Sequence, residues 1–167
     1  MVKELRQKGI SVKFDNRDTF RPGAKFAEYE LKGVPIRIAI GARDVENNTV
    51  ELARRDTLEK QIVDQENLVD FIENLLEDSQ TNLFQKALSF RENHMTEVSN
   101  FEEFKKVIEN KGGFVLAHWD GSEESEDAIK EQTKATIRCI LNDIVFEAGI
   151  GVYSVLLSTL KLLFAKA

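Results

Sequence analysis

An α/β fold in two parts is predicted by three observations: alternating apolar runs near the start, a long helical period in the middle, and a second strand-helix-strand series after it. The order of segments from Ile10 to Ala53 reads strand, helix, strand, strand, which fits a mixed sheet covered by helices. The later series, after residue 97, calls for a smaller α/β unit.

The elements follow in order. Val2 to Gln7 with Gly9 behind them reads as the end of a helix with glycine at its C-terminal cap. Ile10-Ser-Val-Lys-Phe14 alternates apolar and polar residues and predicts a strand, closed by the turn chemistry of Asp15-Asn-Arg-Asp18. Gly23 to Lys32 places Phe26, Tyr29 and Leu31 near helical spacing. Val34-Pro-Ile-Arg-Ile-Ala-Ile40 predicts a strand whose proline stands at its beginning, where a missing N–H matters least. Asn47-Asn48 marks a turn, and Thr49 to Ala53 a returning strand.

From Gln65 to Arg91 the apolar residues Leu68, Phe71, Ile72, Leu75, Leu76, Leu83, Phe84, Ala87 and Leu88 recur three and four apart, as on a long helix. Ser99 or Asn100 then caps a further helix. Gly113 to His118 is a strand, Glu123 to Gln132 an acidic helix, and Ala135 to Ile140 another strand. The boundaries that follow are 1–64, a connecting helix over 65–97, and 98–167.

Composition bounds the function. With 42% apolar and 31% charged residues the chain is of ordinary globular make-up. One cysteine, Cys139, excludes an internal disulfide, and the first residues lack the apolar core of a secretion signal, so a cytoplasmic location is expected. The net charge is −6, yet residues 1–60 hold 13 Lys and Arg against 10 Asp and Glu, leaving −9 for the rest. That split suits a weakly basic front half facing an anion and an acidic back half, although +3 is a weak field. The apolar tail from Ile144 to Ala165 includes Glu147 and Lys161, so a packed strand pair or a core helix is expected there and no membrane span.

Four ordered motifs carry a family resemblance: Gly9-Ile-Ser-Val-Lys-Phe-Asp-Asn-Arg-Asp18, Arg21-Pro-Gly-Ala-Lys-Phe26, Glu30-Leu-Lys-Gly-Val-Pro-Ile-Arg37 and Gly41-Ala-Arg-Asp44. They resemble prolyl-tRNA synthetases of the archaeal and eukaryotic-like type. Lys111 to Glu124, Glu131 to Ile140 and the closing Leu163-Phe-Ala-Lys resemble that family's C-terminal domain. The resemblance implies a class II synthetase anticodon-binding domain, with a mixed sheet and flanking helices, followed by a small α/β C-terminal domain. It also implies that a strand and most of a helix precede Met1. The catalytic motifs that take ATP and Mg lie upstream in the family, so no catalytic site and no cofactor are expected within these residues. tRNA(Pro) is the implied partner and a homodimer the implied state of the full-length enzyme.

The same resemblance places Phe26, Glu30, Arg37, Arg43 and Asp44 at anticodon-contacting positions. Proline anticodons present two adjacent guanines, whose Watson–Crick edge carries donors and whose O6 and N7 are acceptors. A carboxylate suits the first edge and a guanidinium the second; an aromatic face stacks the splayed base. Phe26 is assigned to stacking, Glu30 and Arg37 to one guanine, Arg43 and Asp44 to the other. Phe26 and Glu30 are four apart, on one helix face. On spacing alone, a core aromatic and a surface ion pair explain these residues equally well. Where relatives usually carry tryptophan this chain has Ala24.

Other chemistry is expected to be absent. His118, Asp120 and Ser122 lack a nucleophile-elbow pattern, so an editing hydrolase is the weaker reading, and His94 is expected to be an ordinary helix-end histidine. Many members of the family hold zinc through four cysteines in the C-terminal domain; Asp120, Ser125, Gly151 and Ser154 stand at the matching positions here, a set unsuited to zinc. A structural fragment with a vestigial RNA site is the remaining alternative.

Overall fold

The structure is a computed structural model that describes residues 1–141 and 147–166. The chain divides into two compact units, Met1–Ala87 and Leu88–Ala167.

The first unit opens with α1 (Val2–Gln7), which ends in a left-handed Gly9 at φ 79° after Ile10 N–H has bonded the Leu5 carbonyl. Residues 10–14 form no strand. Ile10 and Val12 do pack on the core while Phe14 is exposed, so the alternation reports one buried face, but no strand among the described residues supplies a ladder to pair with. Helix α2 (Pro22–Leu31) starts on the preset φ of Pro22 and stops at Lys32 and Gly33. Strand β1 (Ile36–Ala39) follows. A short helix α3 (Ala42–Asn47) then intervenes before β2 (Thr49–Arg54), and Asn48 at φ 54° turns the chain between them. The expected turn at Asn47-Asn48 is therefore the end of a helix that the apolar periodicity does not reveal.

A third strand, β3 (Lys60–Asp64), completes the order β1-β2-β3, antiparallel throughout. Val50 and Leu52 point inward from the central strand and are fully buried. They meet Leu5 and the stripe Leu68, Ile72 and Leu75 of α4 (Leu68–Asn93), spaced four and three apart as a helix face requires.

The second unit is built on a four-stranded sheet in the order β4-β5-β9-β6. Here β4 (Met95–Glu97) runs parallel to β5 (Phe114–Trp119), and β9 (Leu160–Lys166) runs antiparallel to both β5 and β6 (Ala135–Cys139), so this sheet is the mixed one. Helix α5 (Phe101–Lys106) is capped by Asn100, whose side chain accepts from Glu103 N–H at 2.9 Å, and it runs on into a single π turn, Val107–Lys111. Helix α6 (Glu123–Thr133) is capped by Ser122. The core is aromatic at its centre: Phe104 and Phe164 meet edge to face at 5.3 Å, with Val115, Ile129 and Leu162 around them.

The apolar tail is a strand. Its β7 (Gly149–Ile150) and β8 (Leu157–Ser158) form a small hairpin before β9, and Lys161 reaches Glu97 at 2.7 Å and Glu147 at 2.8 Å. The lysine within the apolar run is thus shared between two carboxylates. Among the described residues no helix is long and apolar enough to cross a membrane. Residues 142–146 of the tail lie outside the described part.

Candidate nucleic-acid interface

A shallow hollow, open to solvent, lies in the first unit. Helix α2 contributes Phe26, Tyr29 and Glu30, β1 contributes Arg37, and the end of β2 contributes Arg54 with Arg55 just beyond. The hairpin register explains the convergence. Ile36 pairs with Arg54 and Arg37 with Ala53, so the two-arginine run after β2 returns beside the start of β1. The Arg55 N–H then bonds the Pro35 carbonyl at 2.9 Å and fixes that return.

The charged groups in this hollow differ in what they are already doing. The Arg37 guanidinium lies 3.6 Å from the Phe26 ring centroid, face covered, and one of its nitrogens is 3.4 Å from Glu51. Both side chains of the stack are half-buried. Such an arrangement is a cation–π contact with an ion pair behind it. Arg54 is fully engaged: it holds Asp56 through two nitrogens at 3.0 and 2.6 Å and Asp78 through a third at 2.6 Å. Asp56 also accepts from Asn82 at 2.8 Å. Hydrogen bonds from Arg54 outweigh the burial of Asp56 and, with Asn82, hold its carboxyl well below the usual range.

Glu30 and Arg55 are different. Both are exposed, and among the described residues neither has an ion-pair partner. Arg55 donates Nε to the Glu30 carbonyl at 3.1 Å, near the C-terminal end of α2, where a cation is favoured by the helix dipole.

The structure therefore brings Phe26, Glu30 and Arg37 together and does not bring Arg43 and Asp44 into the same hollow; these two sit on α3. Arg43 is exposed. Asp44 accepts from Gly41 N–H at 2.8 Å and from the Thr49 hydroxyl at 3.3 Å, so both carboxylate oxygens cap or brace α3. Sequence reasoning missed Arg55 because Arg54-Arg55 carries no motif. The signal was available in the strand pairing, which places a residue after β2 opposite the entry to β1.

With this geometry in place, comparison with known proteins is informative. Residues 1–75 match the family model described as an anticodon binding domain, and residues 101–167 match the one described as the prolyl-tRNA synthetase C-terminal domain. The chain belongs to the C-terminal region of the prolyl-tRNA synthetases. Proline–tRNA ligase of Flavobacterium psychrophilum is 56% identical over 167 residues, covering 100% of this chain and 34% of the relative. That of Cytophaga hutchinsonii is 55% identical over 98% of this chain and 33% of its own length, and that of Porphyromonas gingivalis 59% identical over 84% and 28%. The chain thus spans about a third of the length of these relatives. All three come from bacteria, so their sources lend no support to the archaeal and eukaryotic-like subdivision.

In this synthetase C-terminal domain the four positions matched to zinc ligands do converge. Asp120 Oδ1 accepts from the hydroxyls of Ser125 at 2.7 Å and Ser122 at 2.9 Å, and from Ser122 N–H at 2.9 Å. Trp119 Nε1 donates to Ser125 at 2.9 Å. A side chain at Gly151 would begin 2.9 Å from the Ser154 hydroxyl and 3.3 Å from Asp120 Cβ. The donor set is one carboxylate and hydroxyls, with no thiolate or imidazole among these four positions, and it does not fit structural zinc. Burial pushes the Asp120 carboxyl up, but hydrogen bonds from Ser154, Ser125 and Ser122 outweigh it and leave the group well below its usual value.

The same contacts bear on the hydrolase reading. Asp120 Oδ1 is bonded to serines, and both Asp120 Oδ2 and His118 Nδ1 are buried without a hydrogen-bond partner among the described residues. Burial, and Lys161 beside it, lower the His118 pKa. A nucleophile–base–carboxylate relay is not assembled here.

Proposed function

We propose that this chain reads the anticodon of tRNA(Pro) for a prolyl-tRNA synthetase, whose catalytic part would bind ATP and Mg, attach proline and work as a cytoplasmic homodimer. The archaeal and eukaryotic-like assignment within the family rests on the four sequence motifs alone. One observation carries the RNA reading: Glu30, exposed and unpaired among the described residues, stands beside an aromatic–guanidinium stack in one open hollow. A free carboxylate next to a stacking platform is the chemistry that a splayed guanine needs.

The platform differs from a bare aromatic face. Arg37 covers the face of Phe26 at 3.6 Å, so a base stacks on the outer side of the guanidinium or displaces it. Arg43 and Asp44 keep their proposed place at the second guanine, with Asp44 acting through α3 as well as through its own carboxylate.

The test is an anticodon stem-loop with two adjacent guanines, titrated against loops in which either guanine becomes adenine. Each change should cost about 1–3 kcal/mol, since adenine has no N1 proton for Glu30 and turns an acceptor into an amino donor. Arg37→Ala should weaken binding through loss of the stacking face, and Lys32→Ala should weaken all loops alike. Equal affinity for every loop would leave a vestigial structural domain.

A further inference from the structure

We propose that Arg55 is the guanidinium that reads the O6 and N7 edge of a guanine whose Watson–Crick edge is held by Glu30, and that Arg37 serves as the stacking plate instead. The assignment rests on the anticodon-reading function proposed above and gives the recognising role to a residue outside the family-derived set.

Three arginines border the one hollow, and they differ in how far their nitrogens are already committed. Arg54 has three nitrogens bound to Asp56 and Asp78, and freeing it would strip a nearly buried carboxylate of its partner. Arg37 lies flat on Phe26 with Glu51 at its edge, and turning its fork outward would forfeit both contacts. Arg55 alone uses only Nε, on the Glu30 carbonyl. That bond leaves the two terminal nitrogens available and restrains the plane of the guanidinium, so less freedom is lost when two parallel N–H···O and N–H···N bonds form. The bond is also made to the residue that supplies the carboxylate. Donor fork and acceptor are thus tied through one peptide carbonyl, and an exposed acid and base that border the same hollow stay unpaired with each other. Guanine is the base that offers donors to one and acceptors to the other.

Two modified loops separate the edges. Replacing a guanine by 7-deazaguanine removes the N7 acceptor, and replacing it by inosine removes the exocyclic amino donor. With the 167-residue protein, 7-deazaguanine at one of the two positions should weaken binding about ten-fold, as expected for half of a bidentate contact. In Arg55→Ala the guanine loop should bind correspondingly more weakly and the 7-deazaguanine penalty should vanish, while the inosine penalty persists. Arg55→Lys, which keeps the charge and lacks the fork, should also lose the 7-deazaguanine penalty; amide exchange of β1 and β2 checks that both variants remain folded. Glu30→Gln should show the reverse pattern.

The proposal is overturned if Arg55→Ala retains the full 7-deazaguanine penalty, or if Arg37→Ala alone abolishes it. It is equally overturned if Arg55→Ala weakens every loop alike with a shallower salt dependence, the mark of a phosphate contact. Native protein that binds all loops equally would instead remove the anticodon-reading function, and Arg55's role with it.

Discussion

Each of the two units holds a carboxylate in a polar cluster, and they stabilise its charge by different means. In the first unit Asp56 is gripped by the Arg54 guanidinium with Asn82 in support. In the second, Asp120 has no ion-pair partner among the described residues; its Oδ1 accepts from the hydroxyls of Ser122 and Ser125, while its Oδ2 is buried without a hydrogen-bond partner. The first solution consumes an arginine at the rim of the hollow and thereby leaves Glu30 and Arg55 as its charged groups without an ion-pair partner among the described residues. The second uses only small neutral donors, on one of the two carboxylate oxygens. Under the proposed reading, recognition falls to the charges that these pairs leave unspent.

The sharpest way to break the comparison is to destroy one unit and ask whether the other survives. Leu162 is 2% exposed in the core of the second unit, so Leu162→Asp should cost more than about 4 kcal/mol and unfold it. Val50 and Leu52 amides in the first unit should keep their exchange protection. Simultaneous loss in both would mean that the two units do not stand separately.

Removing the carboxylate of the first unit comes next. Asp56→Ala leaves Arg54 with only the exposed Asp78 and should destabilise by up to about 3 kcal/mol in urea denaturation. Asp120→Asn should cost less, about 1–2 kcal/mol, because neutral hydrogen bonds from the serines can persist.

The pH dependence sharpens the same contrast. Both carboxyls are held below their unfolded value of about 3.9, so their contribution is present above that pH and is lost as pH falls below it. Asp120→Asn should flatten the acid limb of the second unit's stability and leave that of the first unchanged. An unaltered acid limb in that variant would show that the serine cluster does not hold the carboxylate ionised.

Much of this architecture was legible in the sequence, for identifiable reasons. The long period of α4 and the runs that became β2, β5, α6 and β6 bury one face, and burial is what apolar spacing records. Residues 10–14 bury a face too, yet form no strand, because periodicity cannot say whether a partner exists. Strand β3, with only Val63 packed on the core, and α3, with no buried residue, left no apolar signal to read. The site was legible only in its residue types. Phe26, Glu30 and Arg37 were placed by motif resemblance, but that Arg37 lies on Phe26 and that Arg55 enters the hollow depend on the β1-β2 register, which no local pattern encodes.

One close approach in the second unit constrains how this domain can change over time. A Cβ on Gly149 would sit 2.2 Å from the His118 imidazole, inside any real contact distance. The two positions therefore cannot drift independently: a side chain at 149 becomes admissible only after 118 has shrunk or turned away, while the opposite order passes through a damaged intermediate. Glycine beside a large ring is thus a ratchet on substitution order, and relatives that carry a side chain at the first position should carry a smaller residue at the second.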